Sequence, residues 1–157
     1  RMRSIYYIAT VLLSYRKIID NIKNNTITDE LTSYYLKILN RCANRESTPQ
    51  FFNSFPTVKE QYYTDGKNEV SNQDFLAIVK SNDNGLITFE QRNYFEKGTK
   101  VQFISPNFDT LDYTIEEIFN EDMIPIEKAN QAQMTFKMRI NLPLQENDIM
   151  RLKVFDK

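Results

Sequence analysis

The spacing of apolar residues changes once along this chain, and that change restricts the class of fold it can adopt. Up to about residue 42, apolar residues recur at intervals of three and four, whereas from Asn72 onward they alternate with a period of two. The first spacing is typical of an amphipathic helix and the second of a β-strand. The sequence therefore predicts an α+β protein, with helices first and strands after.

Two helices are predicted in the first part. One apolar stripe defines the first helix: Ile5, Ile8, Leu12, Tyr15, Ile19 and Ile22. The pair Asn24-Asn25 should end it. Thr28 should cap the second helix, whose apolar face includes Cys42. We expect Cys42 to be a small buried hydrophobic residue rather than a reactive thiol.

The second part predicts short strands separated by turns. Asn84-Gly85 is the strongest hairpin signal, because both central residues of such a turn take positive φ angles. Alternating segments predict strands that begin at Phe75 and over residues 86–92, 101–104, 111–115, 123–126, 134–140 and 148–155. We expect a small antiparallel β-barrel of six to seven strands, since closure removes exposed edges, with a sandwich as the alternative.

The chain is expected to have three parts. Residues 1–48 should form a helical connector, residues 49–71 a linker, and residues 72–157 a C-terminal barrel domain. Pro49 and Pro56 interrupt regular pairing in the linker. Its aromatic residues are expected to pin it to a surface: Phe51, Phe52 and Phe55.

Composition excludes several kinds of site. The 157 residues contain no histidine and one cysteine, so a histidine-based triad, a His/Cys zinc site and a Cys-x-x-Cys pair cannot be built. The three glycines all lie at predicted turns, which leaves no glycine-rich phosphate loop. We therefore expect no cofactor, no metal and no catalytic residue in this chain.

Charge is distributed unevenly. Residues 1–49 hold eight lysines and arginines against four carboxylates, a net charge of +4, whereas residues 50–157 hold twelve against seventeen, a net charge of −5. This asymmetry hints at different neighbours for the two parts. No apolar run approaches the ~20 residues that a membrane span needs. With a single cysteine, we expect a cytoplasmic protein and no membrane partner.

Three stretches of the chain together resemble one known family. They are residues 1–11 with Tyr15-Arg16 and Ile19-Asp20, residues 89–98 continuing to Pro106, and residues 114–118 continuing to 148–151. In order and spacing they are similar to the C-terminal region of the collagenase-like peptidases, peptidase family U32. The resemblance covers nearly the whole chain.

The resemblance implies a role as well as a fold. It implies a helical connector and an accessory barrel like those of translation factors, with the active site in an N-terminal catalytic domain that this sequence lacks. The implied function is a non-catalytic domain that positions substrate or partner for a collagenase-like protease. The alternative is an RNA-binding module of a family member that hydroxylates tRNA or rRNA bases. The implied partners are the missing catalytic domain and a protein substrate or RNA.

Three arginines are candidate binding residues. Arg41 and Arg45 lie at a basic helix end, where they could face RNA or the catalytic domain, although cations are also common there for electrostatic reasons. Arg92 could bind a phosphate or a carboxylate, or it could brace the hairpin through Glu90. The first helix is a candidate for self-association, with its apolar stripe covered by a second copy or by the linker aromatics.

Overall fold

The computed structural model describes residues 4–42, Phe52, Phe55 and residues 73–156. The chain divides into two compact units, residues 1–72 and 73–156. The described part of the first unit contains two helices and that of the second contains ten strands. The predicted fold class, a helix pair followed by an antiparallel barrel-like sheet, is confirmed.

Helix α1 spans Ile5–Lys23. Its first turn is capped by Ser4, whose Oγ accepts a hydrogen bond from the backbone N–H of Tyr7 at 3.2 Å. Beyond its last turn, Asn25 takes a φ of 55°, a left-handed conformation that asparagine tolerates well. The predicted end of the helix at Asn24-Asn25 is therefore confirmed.

Helix α2 spans Asp29–Cys42. Thr28 is its cap, as predicted, because its Oγ1 accepts a hydrogen bond from the backbone N–H of Leu31 at 3.2 Å. Hydrogen bonds from the backbone and from the Thr28 side chain lower the pKa of Glu30 in the first turn. Cys42 is buried, as the apolar pattern predicted.

The residues of α1 that are buried lie outside its apolar stripe. The buried residues of α1 are Tyr6, Thr10 and Ser14. Those of α2 are Tyr34, Tyr35, Ile38 and Cys42. The Ser14 hydroxyl donates to the Thr10 carbonyl at 2.8 Å, which satisfies one buried donor within the helix. The buried set thus combines small hydroxyl side chains and tyrosines with Ile38 and Cys42.

The apolar stripe of α1 lies on its exposed side. Each of its six side chains is between 50% and 65% exposed, and we call this set the outer stripe: Ile5, Ile8, Leu12, Tyr15, Ile19 and Ile22. Phe52 and Phe55 are 91% and 90% exposed, so the prediction that the linker aromatics are pinned to a surface is wrong for these two. Phe51, like most of the predicted linker at 49–71, lies outside the described residues.

Eight strands form one curled antiparallel sheet, a half-barrel, in the order β5-β4-β10-β1-β2-β9-β6-β7, and two more form a separate pair, β3-β8. The strands are β1 Phe75–Asp83, β2 Leu86–Gln91, β3 Phe95–Glu96, β4 Lys100–Ile104, β5 Leu111–Thr114, β6 Ile118–Phe119, β7 Pro125–Ile126, β8 Lys128–Ala129, β9 Thr135–Arg139 and β10 Ile149–Leu152. The described strands outnumber the six to seven predicted, because a two-residue strand is too short to show a period.

The hairpin between β1 and β2 turns at the predicted dipeptide. Asn84 and Gly85 have φ angles of 53° and 90°, the left-handed values that a two-residue turn requires. The Asn82 side-chain oxygen accepts a hydrogen bond from the Gly85 backbone N–H at 3.0 Å. A bulge in β1 after Val79 shifts the register and turns Lys80 to the outer face, where it reaches β2.

One face of the sheet carries the barrel core. At its centre Phe89 and Phe136 stack with ring centroids 5.0 Å apart and planes 5° apart, and Phe103 lies 6.1 Å from Phe89. Phe95 meets Phe136 edge to face at 5.1 Å. All four rings are at most 2% exposed. Since side chains alternate along a strand, the residues between these core positions project from the opposite, outer face.

Candidate functional site

The three predicted binding arginines do not all fall within the described chain. Arg41 lies in the last turn of α2 and is exposed, whereas Arg92 follows β2 in the barrel unit. Arg45 lies outside the described residues. Of the described candidates, Arg92 is the one that lies in the barrel unit, and the residues around it define the candidate site.

Arg92 is held by both its backbone and its side chain. Its backbone N–H donates to the Leu76 carbonyl at 2.7 Å, which fixes the chain just after β2. Its Nη2 lies 2.6 Å from Oε1 of Glu90, and its guanidinium lies 5.8 Å from the centre of the Phe75 ring. The bracing contact to Glu90 that the sequence suggested is present. The Arg92 side chain nevertheless keeps 34% of its surface exposed.

Glu90 connects Arg92 to a second cation. Lys80 Nζ lies 3.6 Å from Glu90 Oε2, so that a single carboxylate is shared by two basic side chains. Half of the Lys80 side-chain surface is exposed. This local group carries a net positive charge on the outer face of β1 and β2.

The neighbouring strand β9 extends the same face. Lys137 lies opposite Thr88 of β2, and Arg139 lies opposite Leu86, so both project from the outer face. Residues two apart on a strand are about 6.6 Å apart, which sets the spacing of these two charges. The Arg139 guanidinium lies 5.4 Å from the Phe119 ring centre.

Together these residues form what we call the basic strand face: Lys80, Arg92, Lys137 and Arg139, with Phe75 and Phe119. At each end of it, an arginine lies over a phenylalanine ring. A ring beneath a guanidinium restrains the side chain while its N–H groups remain able to donate. The lysines are also held, because Lys80 pairs with Glu90 and Lys137 Nζ donates to the Glu121 carbonyl at 3.1 Å.

The charge of this face differs from that of the barrel as a whole. Residues 73–156 contain nine lysines and arginines and fourteen aspartates and glutamates. Several of the acids are exposed at a strand end or in the segments that connect strands: Asp83, Glu116, Glu117, Glu121, Asp122, Glu127 and Glu146. A positive strip on a unit of net negative charge favours a narrow anionic ligand and disfavours a broad one.

A groove opens beside one end of the basic strand face. It has a volume of about 800 Å³ and lies between the β1–β2 turn and the segment before β10. Lys80 contributes to its wall together with four amide side chains, those of Asn82, Asn84, Asn141 and Gln145. Amides both donate and accept hydrogen bonds, so this wall offers polar contacts next to the cationic strip.

A second polar cluster, on β4, β5 and β10, serves the fold. Arg151, 3% exposed, donates to Gln102, which donates in turn to Asp112 Oδ1 at 2.8 Å. Lys153 also contacts Asp112. Burial raises the pKa of Asp112, but hydrogen bonds from Lys153 and Gln102 and the charges of Lys153 and Arg151 outweigh it and hold that pKa below its usual value. Within residues 4–42 and 73–156, no three His, Cys, Asp or Glu side chains converge as a metal site.

Of the predicted binding arginines that the structure describes, Arg92 belongs to the basic strand face and Arg41 does not. Lys80, Lys137 and Arg139 were missed, although the period of two in β9 does place Lys137 and Arg139 on one side. The sequence does not show that β9 pairs with β2. This pairing brings Lys137 and Arg139 onto the same face as Arg92. Among the described residues, no helix is both long and apolar enough to cross a bilayer.

Comparisons with known proteins give consistent matches over both units. The model of the peptidase family U32 C-terminal domain matches residues 71–151, and the model of peptidase family U32 matches residues 1–62. The chain is 31% identical over 153 residues to tRNA hydroxylation protein P1 of Bacillus subtilis (strain 168), covering 96% of this chain and 36% of that protein. It thus spans about a third of the length of this relative.

Two solved structures are similar to the barrel unit. The C-terminal domain of a Geobacillus thermoleovorans protein assigned to the U32 peptidases is 28% identical, with a TM-score of 0.50, and covers 54% of this chain and 97% of that domain. The selenomethionine variant of that domain is 30% identical, with a TM-score of 0.48, and covers 50% of this chain and 99% of that one.

Proposed function

Because this chain belongs to peptidase family U32 and includes the family's C-terminal domain, we propose that it is a non-catalytic accessory module that positions a substrate for chemistry carried out elsewhere in the full-length protein. We further propose that the substrate is RNA. A relative that aligns with nearly the whole chain is named for tRNA hydroxylation, which supports this choice over a protein substrate. The activity of the parent would then be base modification.

The observation that carries the proposal is the basic strand face. It places Lys80, Lys137, Arg92 and Arg139 on one side of neighbouring strands. Cationic side chains along a strip follow a phosphate backbone, and planar groups beside them can stack on unpaired bases. Arg92 and Arg139, each held over a phenylalanine ring, supply planar guanidinium groups for such stacking.

The net negative charge of the barrel unit bears on which RNA would fit. A duplex presents two phosphate strands across a broad surface, whereas an unpaired segment presents one. The basic strand face is a narrow strip within a barrel of net negative charge. A single-stranded loop or end of a structured RNA is therefore the form that we expect it to bind.

Transfer RNA binding at two salt concentrations tests the proposal. We expect the chain to bind tRNA in about 50 mM salt and to lose roughly tenfold to fiftyfold in affinity by about 200 mM, as up to four phosphate contacts with an unpaired strand would. Absence of binding at the low concentration, by both the 157-residue chain and the full-length protein, would discard the RNA proposal. The test should include a base-paired RNA, which we expect to bind more weakly than an unpaired one.

A protein substrate is the second candidate. The family description and the related Geobacillus domains favour it, since both refer to peptidases. In that case the exposed cations would contact substrate carboxylates. Binding of gelatin or collagen peptides, measured beside tRNA under the same conditions, separates the two candidates. We expect no cleavage by the 157-residue chain; cleavage by a purified sample would contradict the accessory role.

A further inference from the structure

The outer stripe of α1 has the spacing of a coiled-coil seam. Its six residues follow one another at intervals of three, four, three, four and three, which is the a/d pattern of a heptad repeat. Val11 and Ile18, both half-buried, widen this stripe along one side. Here α2 packs on a different side of α1, against Tyr6, Thr10 and Ser14. The seam is therefore available for another helix.

We propose that a helix from the part of the U32 protein outside residues 1–157 packs along this seam in the full-length molecule. Helices α1 and α2 fall within residues 1–62, which match the U32 family model rather than the model of the C-terminal domain. The related tRNA hydroxylation protein is nearly three times as long as the matched segment. The seam thus belongs to a larger family region, whose remainder is the expected source of its cover.

The flanks of the seam favour that source over a second copy. With Ile5, Leu12 and Ile19 as a positions, one set of flanking positions holds Ala9, Arg16 and Lys23. The other set holds Ser4, Val11 and Ile18. Neither set contains a carboxylate, so a homodimer would form no interhelical ion pair at these positions. The seam is also only two and a half heptads long, below the three to four that typify a stable coiled coil.

The same flanks describe the occupant. Arg16 already contacts Asp20 within the helix, with Nε 3.1 Å from Oδ2, and Lys23 lies in the last turn. A partner helix with apolar a/d residues and carboxylates beside its seam would complement both the stripe and the positive flank. Such a helix in the same polypeptide is present at high effective concentration, so a short seam suffices to hold it.

Matched substitutions in two lengths of the protein test the inference. Leu12→Lys should leave the Tm of the 157-residue chain within about 2 °C of the parent, because residue 12 is 65% exposed there. In the full-length protein the same change should lower the Tm by about 5 °C or more, or prevent folding. Leu36→Lys, at a 53% exposed position on α2, is the control and should have little effect in either length.

A charge reversal adds a second measurement. Lys23→Glu should destabilise the full-length protein clearly more than the 157-residue chain, in which only the electrostatics of the helix end change. An unchanged Tm for full-length Leu12→Lys would overturn the inference. So would a 157-residue chain that sediments as a dimer which Leu12→Lys dissociates, since the occupant would then be a second copy. These results do not depend on RNA binding, so failure here and failure of the proposed function are distinguishable.

Discussion

Arg151 and Gln102 lie opposite each other on β10 and β4, and both Nε and Nη2 of Arg151 donate to the same oxygen, Oε1 of Gln102, at 3.1 and 2.9 Å. Arg151 is 3% exposed and Gln102 is 4% exposed. A buried guanidinium that loses its acceptor keeps the desolvation cost without the compensating hydrogen bonds. The Gln102 amide oxygen therefore stabilises the buried charge of Arg151.

Replacing that amide should destabilise the barrel. We expect Gln102→Leu to lower the free energy of unfolding by about 2–3 kcal/mol, because a charged donor is left buried. Urea denaturation followed by near-UV circular dichroism measures the change. The same substitution at an exposed glutamine, Gln131→Leu, should cost less than about 0.5 kcal/mol. Equal effects at the two positions would show that Gln102 does not support Arg151.

Stability should depend on the ionisation of Asp112. Its pKa is lowered in the folded state, so the carboxylate contributes stability above its unfolded pKa of about 4, and that contribution is lost as the pH falls through the folded value. We expect the stability difference between the parent and Asp112→Asn to shrink below about pH 4. An NMR titration should also show a higher Asp112 pKa in Lys153→Met; an unchanged value would contradict the assigned cause.

The β1–β2 turn should not tolerate a side chain at its glycine. Gly85 has a φ of 90°, and a Cβ there would lie 3.6 Å from the Ile140 carbonyl oxygen, an ordinary contact. The cost of Gly85→Ala is therefore conformational, and we expect about 1–2 kcal/mol in chemical denaturation. Asn84→Gly relieves a positive φ and should be close to neutral. A neutral Gly85→Ala would mean that the turn can change type.

One buried hydroxyl should be dispensable. Thr10 is fully buried, and its Oγ1 finds no hydrogen-bond partner among the described residues. Thr10→Val keeps the shape and removes an uncompensated polar atom, so we expect a gain of up to about 1 kcal/mol in helical-unit stability. Thermal unfolding monitored at 222 nm checks this. Thr32→Val should not stabilise, since the Thr32 hydroxyl donates to the Thr28 carbonyl at 3.0 Å.

The salt dependence of RNA binding should report individual cations. If Lys137 contacts a phosphate, Lys137→Ala should reduce the slope of log K against log salt by about one. Lys97→Ala is the matched control, because Lys97 is exposed on the barrel outside the basic strand face. A loss of affinity at Lys97 equal to that at Lys137 would indicate diffuse attraction rather than a defined face.

The sequence was most informative where the structure is local. The Asn84-Gly85 turn and the Thr28 cap each depend on a few consecutive residues, and both were predicted. The stripe on α1 was also visible as a spacing. The spacing did not show which side of α1 is buried, because that depends on which other element packs against the helix. Thr10 and Ser14 give no sequence signal strong enough to mark the side that meets α2.

The basic strand face shows the same limit. The contact between Arg92 and Glu90 was anticipated, since residues two apart on a strand share a face. The approach of Lys80 depends on a bulge, and the placement of Lys137 beside β2 depends on pairing between segments more than forty residues apart. Such register is decided by the packing of the whole core. This register cannot be predicted from the spacing of residues along one strand.

The ends of the eight-stranded sheet have a consequence for how the protein behaves at high concentration. One outermost strand, β7, has two residues and begins with Pro125, which has no N–H to donate; the other, β5, has four and exposes Asp112 and Thr114. Short margins interrupted by proline or charge are poor templates for intermolecular strand addition. We therefore expect the barrel to resist fibril formation at high protein concentration. We also expect that fusion to other polypeptides will not cause aggregation through its sheet edges.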